Sequence, residues 1–66
     1  MKNNVRAFRK QLEMTQRDLA ISSKIGRSTI SDIESEAHTP SLETAFAIAR
    51  ALHTTVDALF IYEEAI

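Results

Sequence analysis

The chain has 66 residues, 44% of them apolar, with one glycine and no cysteine. A chain this short builds one small hydrophobic core and leaves no room for a second, effector-binding domain. It also lacks disulfide or thiolate–metal staples, so pairing with a second copy is the remaining way to bury more apolar surface. No apolar run is long enough to cross a bilayer, and Met1-Lys2-Asn3-Asn4 is not followed by a hydrophobic segment, so a cytoplasmic protein is expected.

In chain order, the first boundary that the residues set is Thr15. It is a good helix N-cap, and Asp18 three residues on completes a weaker form of the capping box. The helix starts at about Gln16 and runs to about Ser23 or Lys24, where Ile25-Gly26 interrupts it. Gly26 there supplies unusual backbone angles or a cap. A second helix starts near Arg27. Leu19, Ala20, Ile25, Ile30 and Ile33 form a narrow apolar stripe across this pair. With Ile30 and Ile33 turned inward, Arg27, Ser28 and Thr29 are exposed on the first turn, and Ser31 and Asp32 lie on the outer side of the second. Two short helices joined by a tight turn is the pattern of a DNA-binding helix-turn-helix, here over about residues 16–35.

Pro40-Ser41 opens the next helix with Ser41 as N-cap, and Leu42, Ala45, Phe46, Ala49 and Leu52 recur at helical spacing, which predicts a core face. A short last helix follows Thr55 as cap, with Val56, Leu59 and Phe60 pointing inward or across a two-fold axis. Phe60-Ile61-Tyr62 places three large apolar side chains in a row, which points to self-association through a segment of about residues 55–66. The other arrangement folds Ile61 and Tyr62 back on the first helix or pairs them as a short strand with the N-terminus. The two can hold together.

The net charge of −1 is unusual for a nucleic-acid binder, whose affinity comes largely from cations at phosphates. Its distribution removes most of the objection. Residues 1–27 carry seven basic side chains (Lys2, Arg6, Arg9, Lys10, Arg17, Lys24, Arg27) against Glu13 and Asp18, a net +5. Residues 28–66 carry Arg50 against seven acidic side chains, a net −6. The positive charge thus collects on the first helix and the entry to the helix-turn-helix, and the acidic half can face away from DNA.

The chain resembles the Cro/C1 repressor family of bacterial and phage regulators, the XRE type, over roughly Val5 to Phe60. The resemblance rests on Val5-Arg6 and Phe8-Arg9, Thr15-Gln16, Leu19-Ala20, Ile25, Ser28-Thr29-Ile30-Ser31, Ile33-Glu34, Pro40-Ser41-Leu42, Ile48-Ala49, Leu52 and Val56-Asp57-Ala58-Leu59-Phe60. Two positions depart from the family pattern: Lys24 and Glu36 stand where glycine is common. A positive φ at Lys24 would cost on the order of 1 kcal/mol. The acid at Glu36 is unfavourable near a helix C-terminus and opposes a phosphate contact there.

The resemblance implies an all-α, five-helix Cro/C1-like domain over residues 1–66, with a short extended C-terminal tail. It implies a dimeric, sequence-specific regulator, a repressor of an inverted-repeat operator read in the major groove. It also implies an internal ion pair between Arg9 and Glu34, and a backbone-facing role for Gln16, which the amide groups at a helix N-terminus favour independently.

Arg27 is the expected base reader, because a guanidinium can make two hydrogen bonds to a guanine edge. Ser28, Thr29, Ser31 and Asp32 are expected to add shorter contacts. Gln16, Arg17, Lys24, Lys10 and Thr39 are expected at phosphates, with Lys2 and His38 as weaker candidates. Val56, Leu59, Phe60, Ile61 and Tyr62 are the expected dimer contacts.

His38 and His53 have no metal-ligand spacing around them, so no metal or cofactor is expected. Glu63-Glu64 and the scattered Ser, His and Asp residues belong to no catalytic motif, and the chain is not expected to be an enzyme or to bind a small molecule. The alternative is a protein-interaction module, an antitoxin-like subunit that uses the acidic half and the Phe60-Ile61-Tyr62 end.

Overall fold

A computed structural model describes residues 1–62; residues 63–66, which include Glu63 and Glu64 and end the expected 55–66 contact segment, lie outside the described residues. The order is β1 (Lys2–Asn3), α1 (Val5–Gln11), α2 (Gln16–Ser23), α3 (Arg27–Glu34), α4 (Leu42–Ala51), α5 (Val56–Leu59) and β2 (Phe60–Ile61). The strands pair antiparallel, Lys2 opposite Ile61 and Asn3 opposite Phe60, so the all-α body is closed by a clasp between its two ends. Among the described residues, no helix is long and apolar enough to cross a membrane.

Local chemistry sets the helix starts. At α2 the capping box is complete: Asp18 N donates to Thr15 Oγ1 at 3.0 Å and Thr15 N donates to Asp18 Oδ2 at 2.9 Å. Ser41 Oγ accepts from Thr44 N at the head of α4, and Thr55 Oγ1 accepts from Ala58 N at the head of α5.

The helix ends are less usual. Glu13, Lys24, Glu36 and His53 all have φ between 56° and 67°. Three of these ends share one pattern. The left-handed residue (Glu13, Glu36 or His53) donates its N–H four-residue-turn fashion to Lys10, Ile33 or Arg50, and the next residue donates to Arg9, Asp32 or Ala49. This is the pair of hydrogen bonds that glycine commonly closes. Gly26, in contrast, has φ −58° and ψ 142° and caps α3. Of the two roles open to it in sequence, it serves as cap, and the unusual angles fall on Lys24 instead. A Cβ at Gly26 would meet only Thr29 Oγ1, at 3.9 Å.

The core gathers Val5, Leu19, Ile30, Ile33, Ile48 and Leu59, all fully buried, with Ala45, Ala49, Leu52 and Phe60 around them. Two expectations need correction here. Leu42 and Phe46, read as core, are 68% and 53% exposed, and α4 buries Ala45, Ile48, Ala49 and Leu52 instead. Both stripes have i, i+3, i+4, i+7 spacing; α4 is apolar nearly all round, so periodicity alone did not choose between them. Leu59 and Phe60, read as dimer contacts, are enclosed by their own chain, because β2 folds back onto β1. Of the expected contact surface, half-buried Val56 and exposed Ile61 and Tyr62 remain within reach of a partner.

Two asparagines hold the clasp to the helices. Asn3 Nδ2 donates to Ile33 O at 2.8 Å while its Oδ1 accepts from Val5 N. Asn4 donates its backbone N–H to Leu59 O at 2.7 Å and its side-chain amide to Ala58 O. The end of α3 is thereby tied to both termini of the fold.

Candidate nucleic-acid interface

α3 has two faces of opposite chemistry. Ile30 and Ile33 are fully buried, whereas Arg27, Ser28, Ser31 and Asp32 are exposed and lie on one side. Thr29, expected among the exposed readers, is half-buried. Its partial burial leaves it less open to a ligand than its neighbours are. Ser35, the C-cap of α3, extends the exposed side but donates its hydroxyl hydrogen to Asp32 O at 3.1 Å.

Beneath this face sits an ionic network. Arg9 Nε reaches Glu34 Oε2 at 2.8 Å and Arg9 Nη2 reaches Glu34 Oε1 at 3.0 Å, a two-pronged pair whose side chains are only 10% and 6% exposed. Arg9 Nη1 donates to Met14 O at 2.8 Å. Gln16 Nε2 donates to Glu34 Oε1 at 3.3 Å. One guanidinium therefore joins α1, the turn before α2 and the last turn of α3, and Gln16 joins the first turn of α2 to the same carboxylate. Donation to Glu34 and its nearby negative charge hold the Arg9 guanidinium above its already high pKa, and burial only partly opposes this. No described buried side-chain polar atom is left without a partner.

The other expected contacts are spread around this base. Arg17 is exposed on the first turn of α2, Lys10 is exposed on α1, and Thr39 is exposed in the loop between α3 and α4. Gln16 is half-buried, its amide already given to Glu34. Lys24 lies apart from Lys10: it lines a depression at the end of α2 with Arg50 of α4. His38 and His53 are both exposed. Asp18 is solvent-facing, and the hydrogen bonds from the Thr15 backbone and side chain hold its carboxyl below the usual range.

The structure adds residues that the sequence reading did not assign. Arg6 opens into the same concave surface as Lys10, Gln16, Ser31 and Ser35. Its spacing, four residues before Lys10, was a readable signal. The asparagine staples at positions 3 and 4 had no such local signal.

The comparisons with known proteins agree with this geometry. A helix-turn-helix family profile matches residues 5–59. An uncharacterised HTH-type transcriptional regulator of Methanocaldococcus jannaschii is 39% identical over 64 residues, covering 97% of each chain. Another from Archaeoglobus fulgidus is 34% identical over 64 residues, 97% of this chain and 90% of that one. The immunity repressor protein of Bacillus phage phi105 is 40% identical over 55 residues, 83% of this chain and 38% of the repressor. The chain belongs to the Cro/C1-type helix-turn-helix family, a class of DNA-binding regulators.

Proposed function

We propose that this chain is a sequence-specific, double-stranded-DNA-binding transcriptional regulator that works as a homodimeric repressor in the cytoplasm. The observation that carries this reading is the exposed side of α3: four polar side chains on a helix whose opposite side is locked to the core and to Arg9. An eight-residue helix is about 12 Å long, and the major groove is about 12 Å wide, so α3 fits it end to end.

In this reading Arg27 makes the bidentate contact to guanine, Asp32 accepts from a cytosine amine, and Ser28 and Ser31 add shorter contacts, with Thr29 at the margin. Lys10, Arg17, Lys24, Gln16 and Thr39 hold the sugar–phosphate strands. Two-fold pairing through Val56, Ile61 and Tyr62 sets two copies of α3 about one helical turn apart, over an inverted repeat. Occlusion of a promoter by such a dimer is repression, the role that the phage relative's name carries. No cofactor or small-molecule ligand enters the scheme.

Sedimentation of the full chain with a duplex selected by it from a random pool tests the assembly. Two chains per duplex, with protected half-sites separated by about one turn, support it; one chain per isolated half-site contradicts it. A second reading, a protein-binding subunit, draws on the exposure of Leu42 and Phe46. It predicts that Arg27→Ala leaves the principal complex intact.

A further inference from the structure

The concave surface between α1, the head of α2 and the outer side of α3 is an open notch of about 310 Å³. Its floor is the Arg9–Glu34 pair, and its rim carries Arg6 and Lys10 from α1 and Ser31 from α3. We propose that this notch seats a backbone phosphodiester of the bound duplex, with Arg6 and Lys10 as its two cationic contacts; the inference rests on the DNA-binding reading above.

Three observations lead there. The first is charge closure. Both oxygens of Glu34 accept from Arg9, and one accepts from Gln16 as well, so the only carboxylate in the lining is already neutralised. The notch is left with the charge of its two rim cations. The second is their arrangement. Arg6 and Lys10 are exposed at i, i+4 on one helix, a like-charge spacing that opposes helix formation. Neither has an ion-pair partner among the described residues. An anion between them removes that repulsion.

The third observation is position. Ser31 belongs to the side of α3 that enters the groove, so the notch borders that side where a strand of the duplex must pass. Gln16, at the head of α2, lines the same notch and extends the strand path toward the amide groups of that helix end. Ser35 contributes only acceptor capacity, since its hydroxyl hydrogen is given to Asp32 O. The binding is therefore electrostatic and blind to base sequence, which distinguishes Arg6 from Arg27.

The test uses the full chain and its Arg6→Gln, Lys10→Gln and double variants, with Arg50→Gln as a charge-matched control on α4. Binding is read by fluorescence anisotropy on a selected duplex and its scrambled counterpart, over a salt series. The slope of log affinity against log salt should become shallower by about 1 for each single variant and about 2 for the double. Between about 50 and about 200 mM salt, each lost contact makes the fall in affinity about 3-fold smaller. The ratio of selected to scrambled affinity should not move, and Arg50→Gln should keep the original slope.

A slope for Arg6→Gln equal to that of Arg50→Gln would overturn the notch. So would a change in the selected-to-scrambled ratio, which would make Arg6 a base reader. If the unaltered chain binds both duplexes equally, the sequence-specific reading fails while a shallower Arg6→Gln slope still supports the notch. If it binds neither, both fall.

Discussion

The inner and outer sides of α3 are built from the same eight residues and do opposite work. The inner side is Ile30, Ile33 and the sealed Glu34 carboxylate, every group either without water or fully hydrogen-bonded. The outer side is Arg27, Ser28, Ser31 and Asp32, open to solvent, with no described ion pair holding Arg27 or Asp32. The difference teaches that the two sides of one helix can be altered separately: one side fixes where the helix is, and the other is left open to solvent and to a ligand. Substitutions should sort accordingly, the inner ones appearing in melting curves and the outer ones in binding curves.

The largest effect should come from breaking the sealed pair. Glu34→Ala strands the Arg9 guanidinium in a site where little water reaches it, at a cost of about 3–5 kcal/mol. That is the whole stability expected of a domain this size, so the variant should lack a cooperative thermal transition. A melting curve close to that of the unaltered chain would place the stability elsewhere. Arg27→Ala should do the reverse. It should cost about 1–3 kcal/mol of discrimination between a selected duplex and one changed at the contacted base, while its melting temperature stays unchanged. A fall in melting temperature would show that the outer side also supports the fold.

Smaller effects sharpen the comparison at the ends of the helices. Glu36→Gly relieves a left-handed residue and removes an acid from the C-terminal end of α3. It should stabilise by about 1 kcal/mol, a rise of roughly 4–8 °C in Tm by differential scanning calorimetry. A lower Tm would mean that the Glu36 side chain holds a contact of its own. The smallest effect is acidic. The Asp18 carboxyl is held below the usual range by Thr15, so its contribution is present above the ordinary carboxylate range and is lost as pH falls through its lowered folded value. The stability gap between the unaltered chain and Asp18→Asn should therefore close in acid; a gap independent of pH would contradict the carboxylate's role in the cap.

Much of this was legible because helix starts are local events. Thr15, Ser41 and Thr55 each announce a cap with their own side chains, and the structure has side-chain caps at those three positions. The polar side of α3 followed from Ile30 and Ile33 by spacing alone. What stayed hidden depended on distant parts of the chain. The bond from Asn3 to Ile33 spans 30 residues and has no local signature. The strand pairing of the tail with the N-terminus was one of two arrangements open in sequence, and only the folded chain shows that it encloses Leu59 and Phe60. α4 was misread because Leu42 and Phe46 satisfy the same period as the true core stripe. The turn between α2 and α3 was only half read, since glycine's freedom suggested Gly26 while the chain turns at Lys24, within reach of a non-glycine at modest cost. Arg6 was countable as charge, but its place in the notch required the packing of α1 against α3.

The most direct test of the central claim is a mobility shift of the full chain on the DNA immediately upstream of its own coding sequence, at two salt concentrations and with scrambled competitor. A complex that weakens with salt yet survives the competitor is the result expected of a helix that reads bases from a locked platform. Equal loss to specific and scrambled DNA would contradict it and turn attention to the protein-binding alternative.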